Sequence, residues 1–154
     1  MTKFWIVAAA GALLAGPALA AAHLGSGDPE AGKAVFNQCQ TCHVVANEAG
    51  ETLAGRNAKT GPNLYGVVGR TAGTQAEFAA GRPGYKASII AAGEKGLVWD
   101  EATFVAYVQD PTAFLKEYLG DSKARSGMAF KVRSEEDAKN LYAFLASIGP
   151  APTN

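Results

Sequence analysis

The feature that most constrains this chain is the run Cys39-Gln40-Thr41-Cys42-His43. Two thiols separated by two residues can form thioether bonds to the two vinyl groups of one porphyrin. The histidine that follows is then held under the ring, where an imidazole nitrogen reaches the iron. The motif therefore predicts a domain that folds around a covalently attached haem.

Three other interpretations of the motif compete with haem attachment. A redox disulfide is typical of a βαβ context, and the sequence shows no such pattern. A structural zinc site needs four ligands, and beyond the motif only His23 remains, close to the expected end of a leader. A chance match is the third, because only three positions of the motif are fixed. The chain also has the pattern of an exported protein. In an oxidising compartment two free thiols would normally pair or react, so export favours a role that uses both cysteines covalently.

Residues 1–20 have the pattern of an export signal. Lys3 supplies the positive start, an apolar stretch runs from Phe4 to about Leu14, and Gly16-Pro17 breaks any helix. Ala18-Leu19-Ala20 then gives the small-residue pattern that signal peptidase accepts. An uncleaved membrane anchor is the alternative, since about 20 apolar residues suffice to span a bilayer. The break favours cleavage, between Ala20 and residue 27, and a periplasmic location.

The mature chain is expected to be one domain. Of 154 residues, about 130 remain after cleavage, the size of one ordinary domain. We assign the domain to residues 28–149 and a flexible tail to residues 150–154. The whole chain has 14 basic and 14 acidic residues, so it lacks the basic footprint of a nucleic-acid-binding protein.

Helix caps and apolar periodicity predict an all-α fold. Helices are expected over residues 28–38, 85–92, 100–109, 111–119 and 134–148, and we identify no strand. Between residues 44 and 83 no period persists, and glycine recurs. A stretch of this length without structure is unusual in a domain. Its packing against a haem would explain it.

The second axial ligand of the iron decides the chemistry, since an open position binds substrate and a filled one only passes electrons. Candidates are a second His, a Met, a Lys or a Tyr. Without Met1, the only methionine is Met128, in a polar segment where no helical pattern requires it. Most lone methionines fill a core, yet this position favours Met128 as a ligand over His23. Ligation by His43 and Met128 predicts an electron carrier with a raised reduction potential, and no enzyme.

The order of several motifs resembles that of the class I c-type cytochromes, and most closely the bacterial cytochrome c2 group. These are Cys39 to His43, Lys59-Thr60-Gly61-Pro62-Asn63-Leu64, Val68-Gly69-Arg70, Trp99-Asp100-Glu101, Tyr107-Val108-Gln109-Asp110-Pro111 and Lys123 to Phe130. The resemblance implies the class I cytochrome c fold, with helices and long loops wrapped around one covalent haem c. That haem would be attached through Cys39 and Cys42, with His43 and Met128 as axial ligands.

The resemblance also assigns further cofactor-binding residues. Pro62 would accept a hydrogen bond from the proximal histidine through its carbonyl group. Arg70, Trp99 and Tyr85 would bond a haem propionate, and Tyr107 would line the methionine side. The terminal helices would cross where Gly32 and Phe36 meet Leu141 and Phe144.

The function implied by the resemblance is one-electron transport in photosynthesis or a respiratory chain. The donor would be a cytochrome bc1-type complex, and the acceptor a photosynthetic reaction centre or a terminal oxidase. A monomer is expected, docking transiently on acidic partners through Lys33, Lys59, Lys123, Arg125 and Lys131 around the haem edge. The alternative is a ligand-binding or peroxidase-type haem protein in which Met128 is displaceable.

Overall fold

The computed structural model describes residues 25–75, 78 and 87–151. Within these ranges the chain forms five helices and one antiparallel hairpin. The elements are α1 (Pro29–Phe36), β1 (Val44–Ala46), β2 (Thr52–Gly55), α2 (Ala87–Glu94), α3 (Glu101–Gln109), α4 (Pro111–Leu119) and α5 (Glu135–Ile148). The predicted leader lies outside the described residues. None of the described helices is both long and apolar enough to cross a membrane.

Four of the helices begin at the caps expected from the sequence. The side chains of Asp28, Asp100, Asp110 and Ser134 accept hydrogen bonds from the first-turn amides of α1, α3, α4 and α5, at 2.9, 2.8, 3.1 and 3.2 Å. Such caps satisfy amides that have no partner inside the helix. Helix α1 ends two residues before its predicted end, and tight turns continue the chain, beginning with the bond from Gln38 N to Val35 O at 3.0 Å.

The terminal helices α1 and α5 cross at a glycine. Gly32 is buried, and a Cβ there would lie 2.5 Å from the carbonyl carbon of Asn140 and 2.8 Å from Cβ of Phe144. One turn later, the rings of Phe36 and Phe144 pack with centroids 5.6 Å apart. The predicted crossing is therefore present, and the absent side chain of Gly32 permits it.

The hairpin corrects the prediction that the chain has no strand. Strands β1 and β2 pair with Val44 opposite Gly55 and with an irregularity after Val45. Asn47 closes the connection, since its Oδ1 accepts a hydrogen bond from Glu51 N at 2.9 Å. Strands of three and four residues are too short to show the alternation that identifies a half-buried strand.

The remaining helices form the opposite side of the domain. Helix α3 packs on α5, where the rings of Phe104 and Tyr142 lie 5.5 Å apart. Helix α4 packs on both α3 and α2. At the end of α2, Lys95 Nζ donates to the carbonyl group of Tyr118 at 2.7 Å. Each of α2, α3 and α4 also accepts a hydrogen bond from the irregular segment that carries Met128, at Ser88, Val108 and Thr112.

Candidate haem site

The CxxCH motif lies in the turns that follow α1. Cys39 N donates to Phe36 O at 2.8 Å, and His43 N donates to Cys39 O at 2.9 Å. The two cysteines are not bonded to each other, and Cys39 is buried. Burial, with a smaller contribution from Cys42, raises the pKa of the Cys39 thiol to about 11. Both sulfurs are therefore held on one short, ordered turn beside the histidine.

A single hydrogen bond fixes the orientation and tautomer of His43. Its Nδ1 lies 2.9 Å from Pro62 O, and because a carbonyl group can only accept, Nδ1 carries the proton. The lone pair of Nε2 is then available to a metal. Burial lowers the pKa of His43 more than the bond to Pro62 raises it, which favours the neutral imidazole that metals bind.

Residues 61–64 are held against residues 42–46 by hydrogen bonds that the sequence did not reveal. The amide and carbonyl groups of Ala46 bond the side-chain amide of Asn63 at 3.0 and 2.7 Å. Gly61 N donates to Cys42 O at 2.6 Å. A Cβ at Gly61 would lie 2.6 Å from His43 Nδ1, so only glycine fits beside the ring. The Gly-Pro-Asn run was recognised, but no role for Gly61 or Asn63 was predicted.

Arg70 and Trp99 are hydrogen-bonded to each other through their backbones, and Arg70 also contacts Asn63. Trp99 N donates to Arg70 O at 3.0 Å, and the Trp99 side chain is buried. The guanidinium group of Arg70 donates to the carbonyl groups of Tyr65 and Asn63 at 3.1 and 3.3 Å, and also to the Gln75 side chain. The assignment of Arg70 and Trp99 to a propionate stays a prediction. Tyr85 lies outside the described residues.

Tyr107 connects the aromatic core to the segment that carries Met128. Its ring packs on that of Trp99 with centroids 4.8 Å apart. Its hydroxyl group lies 2.8 Å from Ser126 Oγ, which also accepts a hydrogen bond from Met128 N at 3.0 Å. Met128 is half-buried against the core. Ser126 is a further residue of the site for which the sequence analysis predicted no role.

A continuous series of contacts joins the histidine to the methionine. It runs from His43 through Pro62 and Asn63 to Arg70, Trp99, Tyr107, Ser126 and Met128. The donor set of one neutral imidazole, one thioether and two unpaired thiols suits haem c. In the described part of the chain, no three His, Cys, Asp or Glu residues are grouped to hold a metal ion.

Comparison with known proteins shows close relatives. A cytochrome c2 from Cereibacter sphaeroides is 59% identical over 146 residues, which are 95% of this chain and 95% of that relative. A cytochrome c2 from Rhodovulum adriaticum is 59% identical over 124 residues, covering 80% of this chain and 94% of the relative. The solved cytochrome c2 of Rhodobacter sphaeroides superimposes with a TM-score of 0.77 at 61% identity, over 82% of this chain and 100% of that chain.

No protein-family model matches the chain. The identity to these relatives and its extent nevertheless establish the family, and they agree with the helical fold and with the two cysteines of the CxxCH motif. Members of this family are electron carriers that hold one covalent haem c, and they are not enzymes. The chain belongs to the cytochrome c2 family of class I c-type cytochromes.

Proposed function

We propose that this chain is a periplasmic carrier of single electrons from a cytochrome bc1-type complex to a photosynthetic reaction centre or a terminal oxidase. The observation that carries the proposal is the hydrogen bond from His43 Nδ1 to Pro62 O, at 2.9 Å. This bond leaves the lone pair of Nε2 available to the iron. His43 directly follows the two attachment thiols in the sequence. His43 and Met128 are the proposed axial ligands, and Cys39 and Cys42 the attachment points.

Haem c supplies a one-electron iron couple at such a site. The neutral, soft thioether of Met128 favours ferrous iron, so the reduction potential is raised relative to a pair of harder ligands. Trp99 is buried and packs on Tyr107. With His43 and Met128 both engaged by the iron, the site would suit electron transfer and disfavour substrate binding.

Basic side chains provide a docking surface, defined here as Lys33, Lys59, Lys123, Arg125 and Lys131. All five are exposed. Within this surface, Lys131 Nζ lies 2.7 Å from an Asp110 carboxylate oxygen. A basic surface speeds the encounter with an acidic partner, and the effect weakens with salt. Transient electron-transfer interfaces are also small, which allows rapid release.

Export supports the periplasmic assignment. The positive start, the apolar stretch and the Ala-Leu-Ala sequence at residues 18–20 have the pattern of a cleavable signal. In addition, 82% of this chain accounts for all of the solved Rhodobacter sphaeroides protein. We therefore propose that the leader is removed and that haem is attached after export. The intact mass of the purified protein measures both changes.

Electron-transfer kinetics test the proposed partners. Purified reduced protein is mixed with membranes that contain either reaction centres, which are then illuminated, or a terminal oxidase supplied with oxygen, and oxidised protein is mixed with a quinol-driven bc1 complex. The proposal predicts rapid oxidation or reduction, slowed by added salt. If the protein is oxidised or reduced no faster than in a control without the partner complexes, the proposal is contradicted.

A further inference from the structure

Met128 lies in an irregular segment, residues 122–133, which we call the methionine loop. Its two ends are held by apolar burial, since Ala124 and Val132 are almost fully buried. Val132 N also donates to Val108 O at 2.9 Å. Between these points Met128 and its neighbours are half-buried or exposed. Besides its packing against the core, the position of Met128 therefore depends on the polar contacts that the loop makes.

Two hydroxyl groups from separate helices accept hydrogen bonds from consecutive amides of this loop. Arg125 N donates to Ser88 Oγ of α2 at 3.0 Å. Ser126 N donates to Thr112 Oγ1 of α4 at 3.2 Å. Helices α2 and α4 also pack on each other, so both acceptors belong to one rigid unit. Neither side chain belongs to the haem-binding residues assigned above.

Ser126, which follows Arg125 directly in the chain, also connects to Met128. Ser126 Oγ accepts the Met128 amide at 3.0 Å and bonds the Tyr107 hydroxyl group at 2.8 Å. Displacement of residues 125 and 126 would therefore move Met128 as well. Each of these bonds would break when the loop opens, so each raises the free energy of opening.

We propose that Ser88 and Thr112 are positioning residues for Met128, holding the methionine loop closed and so setting how readily an external ligand displaces the thioether. The inference rests on the proposed ligation by Met128. A ligand that binds only the open loop has an apparent affinity reduced by the fraction of open molecules. Removal of a hydroxyl group increases that fraction, and affinity rises in proportion.

The test uses the haem-loaded protein and imidazole as the probe. The variants are Ser88→Ala, Thr112→Val and the two combined, with Thr112→Ser as the conservative variant that restores the hydroxyl group. Ser147→Ala is the matched control, since Ser147 Oγ donates to Phe144 O at 2.7 Å on α5, away from the loop. The measurements are imidazole affinity, the sulfur–iron band of the oxidised form, and the reduction potential.

Each single variant should bind imidazole about threefold to tenfold more tightly, the effect of one lost hydrogen bond. The combined variant should bind it more tightly than either single variant, with a weaker sulfur–iron band and a lower potential. Thr112→Ser and Ser147→Ala should match the unmodified protein. If the combined variant does not retain haem, the two single variants decide the question by the same measurements.

Unchanged imidazole affinity in both single variants would overturn the inference. An equal increase in Ser147→Ala would also overturn it, because general stability would then govern displacement. Failure of the proposed function is distinguishable, since the unmodified protein would then lack the sulfur–iron band altogether. A band present in the unmodified protein, together with an imidazole affinity unaltered in Thr112→Val and Ser88→Ala, would refute only the positioning role.

Discussion

The orientation of His43 depends on the neighbouring residues Gly61, Pro62 and Asn63. Pro62 contributes a carbonyl acceptor, Gly61 contributes the absence of a side chain, and Asn63 bonds both backbone groups of Ala46. None of the three carries a charge. The imidazole is thus oriented by backbone geometry, which changes little with pH or ionic strength.

Gly61→Ala should perturb the histidine. Its Cβ would meet the His43 ring, so overpacking should lower the free energy of unfolding by about 1–3 kcal/mol, and the reduction potential should shift. Gly50→Ala is the control: its positive φ of 81° makes a side chain strained, but nothing lies within 4 Å of the added Cβ. It should lose about 1–2 kcal/mol with no change in potential. Urea unfolding measures the stability of each variant, and redox titration measures its reduction potential. Equal reduction potentials in Gly61→Ala and Gly50→Ala would count against the proposed orientation of His43.

The sequence identified the chemistry of individual residues better than their environment. The thiols, His43 and Met128 were predicted from residue type and spacing, and the bond from His43 to Pro62 is present in the structure. The contacts of Asn63, Ser126 and Thr112 were not predicted. They arise where separate segments approach each other, and a local pattern contains no information about that approach.

At the crossing of α1 and α5 the backbones of the two helices approach closely at Gly32. Phe36 and Phe144 pack beside Gly32, and Asp28 N bonds Asn140 Oδ1 at 2.7 Å. The start of α1 is therefore joined to the middle of α5. This joint holds the turn that carries the CxxCH motif at a fixed place on the domain.

Gly32→Ala should therefore destabilise the protein, although alanine favours a helix. Its Cβ would lie 2.8 Å from Cβ of Phe144, and we expect a loss of about 2–3 kcal/mol. The comparison is Ala34→Gly, at an exposed position of the same helix, which should cost about 1 kcal/mol through propensity alone. Denaturant unfolding ranks the two, and a stabilised Gly32→Ala variant would show that the helices do not cross so closely.

The pair between Asp110 and Lys131 predicts a dependence on pH. Asp110 is the N-terminal cap of α4. Its hydrogen bond to Lys131 is the main reason that its pKa is below the ordinary value, and the hydrogen bond from the Ala113 amide is the second. The stabilisation is complete above the ordinary carboxylate pKa and is lost as pH falls through the lowered pKa. Lys131→Met should reduce this loss, whereas Lys123→Met, with the same change in charge, should not. Urea titrations at a series of acidic pH values give the free energy of unfolding of each variant. If this free energy depends on pH in the same way in both variants, the prediction is contradicted.

Helices were predictable where a cap and an apolar stripe coincided. Asp28-Pro29, Asp110-Pro111 and Ser134 each precede a helix in the structure. The hairpin was missed because β1 and β2 are short and their pairing is irregular. The side chain of Asn63 bonds both backbone groups of Ala46. A contact of this kind produces no periodic pattern in the sequence.

For the whole molecule, the distribution of charge matters more than the total. The chain has equal numbers of acidic and basic residues, yet the proposed docking surface consists of basic residues alone. Lys131 is paired with Asp110, so its charge is partly compensated. The electrostatic attraction to an acidic partner should therefore come mainly from the other members of that surface.

Substitutions of the docking surface should reflect that difference. Lys123→Gln should slow association with a purified partner complex roughly two- to tenfold at low ionic strength, and Lys131→Gln should slow it less. The difference should vanish at high salt, where surface charges are screened. Stopped-flow association rates over a salt series measure this. Equal effects of the two variants would show that the pair with Asp110 does not reduce the contribution of Lys131.

The proposed ligation of a covalently held haem, by nitrogen from His43 and sulfur from Met128, is read from the absorption spectrum of the oxidised protein with and without Met128. The unmodified protein should show the sulfur–iron band at the red end of the spectrum. Met128→Ala should lose it, while its potential falls and imidazole binds more readily. A spectrum and potential unchanged by Met128→Ala would contradict the account.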